Sequence, residues 1–139
     1  MLGNVFIFKL IIMRKFIFRA WDKSDNKMIF DIYPASDGDV AGLYNGRFVL
    51  RLPSDRIILE QWTGVKDKFG TLIFEGDIVK YECGTKAEVI FKDGCFMAYN
   101  GYDISSDEAY LKICPEYNPI DGYEFDIQVI GNVHQMSIL

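Results

Sequence analysis

Residues 72–100 read LIFEGDIVKYECGTKAEVIFKDGCFMAYN. Short runs of Val, Ile, Phe and Tyr alternate here with glycine-bearing turns, the pattern of strands joined by tight connections. Asp93-Gly94, between KAEVIFK and CFMAYN, is the strongest hairpin signal in the chain, because a two-residue connection needs positive φ at both positions. Gly76-Asp77 and Gly84-Thr85 punctuate the neighbouring runs in the same way. This stretch sets the expectation of a β-rich fold.

The flanks repeat the pattern. KFIFRAW (residues 15–21) and KMIFDIY (27–33) enclose DKSDN and read as a hairpin with a five-residue loop, whose Asp, Ser and Asn oxygens can bond nearby amides. Residues 34–42 read as a loop. RFVLRL (47–52) is a strand closed by Pro53, which has no amide for a ladder. RIILEQW (56–62) fits strand or helix, and its three consecutive aliphatics favour strand. Residues 67–70, DKFG, form a tight turn, and FDIQVIGNVHQ (125–135) is a last strand with Gly131 placed for a bulge. SSDEAYLKIC (105–114) is the best helix candidate: Ser105 or Ser106 caps it, Asp107 and Glu108 suit its positive end, and Pro115 stops it. The expected architecture is one mainly β domain, small and barrel-like or mixed. It has an N-terminal hairpin, an SH3-like layout in residues 72–135, and at most one short helix near 105–114.

Composition narrows the function classes. The chain has 139 residues, 25% of them charged, with 11 Phe, 8 Tyr and 2 Trp. One domain is the natural count at this length. The net charge of −5 is local, since residues 100–139 carry seven acidic side chains against Lys112 alone. Such a face repels phosphate backbones and disfavours non-specific nucleic-acid binding. The opening MLGNVFIFKLII is too short to span a bilayer, and it lacks the basic start and cleavage site of a signal peptide. A second Met, Met13, directly precedes RKFIFRAWD, so residues 1–12 are expected to be an upstream extension and residues 13–139 the domain.

Asp22, Ser24 and Asn26 begin like a calcium loop, but Lys27 and Tyr33 stand where Gly and Glu are needed; Asp37 and Asp39 fail likewise. Cys83, Cys95 and Cys114 include no CxxC, and with His134 as the sole imidazole they make no usual zinc set. Three reduced thiols in a cytoplasmic protein are expected. There is no phosphate-binding glycine loop and no nucleophile elbow. Asp103, Asp107 and Glu108 read as solvated carboxylates. No cofactor, metal or catalytic constellation is expected.

From Gln61 the chain reads QWTGVKDKFGTLIFEGDIVKY, which resembles the YopX family of phage and prophage proteins, with its pattern close to Q-aromatic-TG-Leu-KDKNG-x-x-I-Tyr-EGDIV. FRAWDKSDNKMIF near the start and IQVIGNVHQ near the end agree as well. Phe69, Phe74 and His134 stand where the family usually has Asn, Tyr and Tyr. The resemblance implies a phage- or prophage-encoded accessory protein. It brings no catalytic residues, and it supports a start at Met13. In physical terms the motif is structural: Gln61, Thr63 and Asp67 bond backbone, Gly64, Gly70 and Gly76 allow positive φ, and Glu75 and Asp77 mark a strand entry.

Two functional expectations follow. The first is a non-enzymatic module acting by protein–protein contact, with itself as a homo-oligomer or with a host or phage protein. Its candidate surface is Trp62, Lys66, Lys68, Phe69, Tyr81, Tyr102, Tyr110, Tyr117 and Tyr123, because aromatics are enriched in interface cores. The second is a small barrel binding single-stranded nucleic acid through Trp62, Lys66, Lys68 and Tyr81, which charge disfavours.

Overall fold

A computed structural model describes residues 16–44, 47–101, 110–113 and 127–135. The strands are β1 (Phe18–Asp22), β2 (Lys27–Pro34), β3 (Val40–Tyr44), β4 (Arg47–Leu52), β5 (Ile57–Lys66), β6 (Leu72–Phe74), β7 (Asp77–Tyr81), β8 (Lys86–Lys92), β9 (Cys95–Tyr99), β10 (Tyr110–Lys112) and β11 (Ile127–Asn132). They form two sheets, ordered β4-β3-β2-β1-β5-β6 and β10-β9-β8-β7-β11. Every described pairing is antiparallel.

The mainly β class holds, with two departures. Neither sheet closes into a barrel: the strands expected to make an SH3-like unit form an open sheet, while β6 pairs with β5 in the other one. The short helix near 105–114 is also corrected where it can be seen. Tyr110–Lys112 is a strand paired with β9, Leu111 lying opposite Ala98, so the ladder overrides a weak local helix preference. Residues 105–109 lie outside the described residues, as do residues 1–12. The loop expected over residues 34–42 is shorter than read, since β3 begins at Val40.

Two bulges set the facing of side chains. Ile29 and Ile32 are three residues apart, so strict alternation would put them on opposite faces. The register shifts between Phe18 and Ala20, and Asp31 takes φ +56°, so both isoleucines join the same core. The second bulge lies at Gly131, where Val129 faces Val79 and Gly131 faces Ile78, as the glycine foretold. Asp93 and Gly94 both have positive φ, as the expected hairpin requires.

Apolar burial falls into two separate clusters. Ala20, Ile32, Val40, Leu52 and Ile57 pack under the first sheet, with Phe18, Ile29 and Leu59 against them. The second cluster includes Val65, Ile73, Val79, Val89, Phe96 and Ile127.

Candidate functional site

The central motif begins as turn chemistry. Asp67 is buried, and its Oδ1 accepts from the amides of Phe69 and Thr71, both at 2.9 Å. Its Oδ2 accepts from Val129 N at 2.9 Å, so one carboxylate closes the turn and ties it to β11. Thr63 Oγ1 accepts from Val65 N, and Trp62 Nε1 donates to Val65 O, both across the irregular stretch where Gly64 has φ +89°. Gln61 O accepts from Glu75 N, and Gly70 takes φ +81° in the expected turn.

Beyond the turn, four stretches of chain meet in a buried charged cluster. Arg19 of β1 donates through Nε to Glu60 Oε2 of β5 at 2.6 Å, and through Nη2 to Asp77 Oδ1 of β7 at 2.7 Å. The same guanidinium lies 4.7 Å from the centre of the Phe74 ring and reaches Glu75 O at 3.3 Å. Asp77 Oδ2 accepts from Phe74 N at 2.8 Å, the strand-entry role read from sequence. Glu60 Oε1 is 2.5 Å from His134 Nε2, and the imidazole stacks on Trp21 with ring centres 4.8 Å apart and planes 4° from parallel. Asn132 Oδ1 accepts from His134 N and orients the turn that carries the imidazole. Side-chain exposure is 9% or less for Arg19, Glu60, Asp77 and His134. Every buried side-chain polar atom of the described residues has a partner.

Gly76 is fitted to this cluster. It has φ +84°, its N–H donates to Val89 O, and its carbonyl accepts from Val133 N. A β-carbon there would lie 2.8 Å from Glu60 Cδ, so the glycine is needed for both its backbone angle and the carboxylate beside it.

Electrostatics divides the carboxylates. Burial pushes the Asp77 carboxyl up to about 6, against the pull of Arg19 and of the Phe74 amide. Burial also raises Glu75 and Glu88, and the charge of Glu60 raises both further. Asp22 behaves oppositely: Arg56 holds it from both nitrogens at 2.9 and 2.7 Å, keeping its carboxyl near 2. That aspartate also accepts from the amides of Ser24 and Asp25, so it caps a turn and does not start a cation loop.

An open cleft of about 390 Å³ adjoins the cluster, lined by residues of β5 and β8, Glu75-Gly76 and Val133-His134. Ile58 and Phe91 stand in it 42% and 55% exposed. Glu60, Glu75 and Glu88 supply its acids, and its lining includes no Ser, Thr or Cys to serve as a nucleophile. No His, Cys, Asp and Glu group among the described residues could hold a metal.

The described members of the surface nominated from sequence lie away from the cleft. Phe69 is 69% exposed with Lys68 Nζ 5.4 Å from its ring centre, and Lys66 is exposed at the end of β5. Trp62 is half-buried, and Tyr81 packs against the second core. None of these lines the cleft. Tyr110 lies in β10, while Tyr102, Tyr117 and Tyr123 lie outside the described residues, as do Asp103, Asp107, Glu108 and Cys114. Cys83 and Cys95 are free thiols. Sequence reading missed Arg19, Trp21, Glu60 and His134 as a group. The available signal was their position inside or beside the three resembling blocks, all of which meet here.

Two open antiparallel sheets, joined through buried charges and through Val65 and Ile73 of the first sheet packed into the second apolar cluster, define a two-sheet β protein. The YopX protein family matches residues 17–139, and the chain belongs to that family. The crystal structure of protein EF1440 from Enterococcus faecalis is similar, with a TM-score of 0.62 at 24% identity over 90% of this chain and 97% of that one; the likeness is one of fold. Comparison with curated proteins gives no match. Among the described residues no helix is long and apolar enough to cross a membrane.

Proposed function

We propose that this YopX-family chain is a phage- or prophage-encoded accessory protein of the bacterial cytoplasm that acts by contact with another protein or with its own copies, and not by catalysis. The observation that supports this reading is the cleft. Two large apolar side chains, Ile58 and Phe91, face solvent across a recess beside a rigid charged cluster. Exposed apolar groups around a concave recess with a few charged side chains are characteristic of surfaces that become buried on association. The carboxylates of the recess repel phosphate, which weighs against the nucleic-acid alternative there.

The test is crosslinking with mass spectrometry in a bacterial host, paired with light scattering on the purified chain. Wild type is expected to give a defined partner or a self-complex that the I58D/F91D double variant loses. A wild-type chain that is strictly monomeric, with the same crosslinks as the double variant, would refute the proposal.

A further inference from the structure

The cleft is unequal in charge. Glu60 shares Arg19 and His134, so its charge is answered inside the protein. Glu75 and Glu88 line the same recess and make no direct ion pair among the described residues, Glu88 feeling only a longer-range pull from His134. Both are partly buried, on the β6–β7 turn and on β8, and a cation brought between them would replace the hydration they have lost. Ile58 and Phe91 give the recess an apolar side, and Phe91 adds a ring face. The occupant that matches all of this has an aliphatic stem, a planar cation and donors for two carboxylates.

We propose that the cleft receives an arginine side chain of a partner protein, with Glu75 and Glu88 binding the guanidinium and Ile58 and Phe91 covering its stem. The inference rests on the protein-contact reading above and names the partner's chemistry. Lysine fits less well, because a compact, strongly hydrated ammonium neither stacks on Phe91 nor spans two carboxylates as a planar fork does. Arg19 already shows the arrangement within this fold: its guanidinium bridges Glu60 and Asp77 and lies over Phe74.

The probe is N-acetyl-arginine methylamide, titrated into the full chain while backbone amide resonances are followed. The citrulline analogue serves as a neutral isostere, and spermidine as a free polyamine. Saturable shifts are expected at Ile58, Gly76, Glu88 and Phe91, with Gly38 in the turn between β2 and β3 unmoved. The citrulline analogue should bind roughly tenfold more weakly or worse, as the loss of charged hydrogen bonds requires. E75Q/E88Q should weaken the arginine probe by a similar factor, and E88Q alone, whose fold is checked by the same spectra, should weaken it part of the way. Equal binding of arginine and citrulline probes, no localised shift, or indifference to E88Q overturns the proposal. Spermidine binding the same amides as tightly overturns it in favour of a free polyamine. The crosslinking test above responds to any partner, so a negative arginine titration beside positive crosslinking removes this inference alone.

Discussion

Replacing Gly76 by alanine isolates what the charged cluster contributes to the fold. Two costs arise together. An L residue at φ +84° loses about 1–3 kcal/mol to backbone strain. The added β-carbon also falls 2.8 Å from Glu60 Cδ, and that carboxylate cannot step aside without leaving Arg19 and His134. Breaking a buried pair by displacing one partner costs about 3–5 kcal/mol. Together the two come to about 4–8 kcal/mol, a large part of the stability of a small domain. Gly70→Ala is the matched control: φ is +81°, nothing lies within 4 Å of the added carbon, and only the strain applies. Equilibrium urea unfolding of wild type, G76A and G70A reads the difference. G76A is expected to be about 3–5 kcal/mol less stable than G70A. Adding E60A to G76A should cost less than the two changes summed, because the clash and the lost pair are the same event. If G76A and G70A unfold alike, Glu60 is not held where the cluster puts it and the reasoning fails.

Other expectations follow from the same groups. The Asp77 carboxyl titrates near 6 in the folded chain against its ordinary 3.8, so its contribution favours folding below about pH 4 and is lost as pH rises through about 6. Urea stability of D77N should therefore change less between pH 4 and 7 than that of wild type; parallel curves would contradict the assignment. Asp22 has the opposite sign: its contribution is present above about pH 4 and disappears as pH falls toward 2. R56A should raise the Asp22 carboxyl toward or above its ordinary range, which a carboxyl-detected NMR titration reads directly. H134F keeps a ring on Trp21 but gives up the Glu60 contact, whereas H134A loses both. Tryptophan fluorescence should thus change more in H134A, while both variants lose stability, H134A by about 2–4 kcal/mol. Equal emission in the two variants would remove the stack from the account.

Local chemistry was legible wherever a single turn decides it. Asp93-Gly94, Gly131 and the 67–70 turn act within a few residues, and their conformations follow from residue type. Residues 110–112 were misread because Ser105, Asp107 and Glu108 state only a local preference, while Tyr110–Lys112 answers to β9, a partner that no window of sequence contains. The SH3-like expectation failed for a related reason: strand runs and turns do not say which edges meet, and β6 went to β5. The site shows the limit most clearly. Arg19, Glu60, Asp77 and His134 are up to 115 positions apart, and each reads alone as an ordinary surface residue. Asp67 was seen as a turn former, yet one of the three hydrogen bonds to its carboxylate comes from Val129, 62 residues away.

The two apolar clusters share no buried member, and directed charge–charge hydrogen bonds help tie one sheet to the other. Val65 and Ile73 pack the first sheet into the second core, and a guanidinium gripping two carboxylates adds a contact that tolerates little change of angle. The small ionic clasp acts less as ballast for the fold than as its protractor.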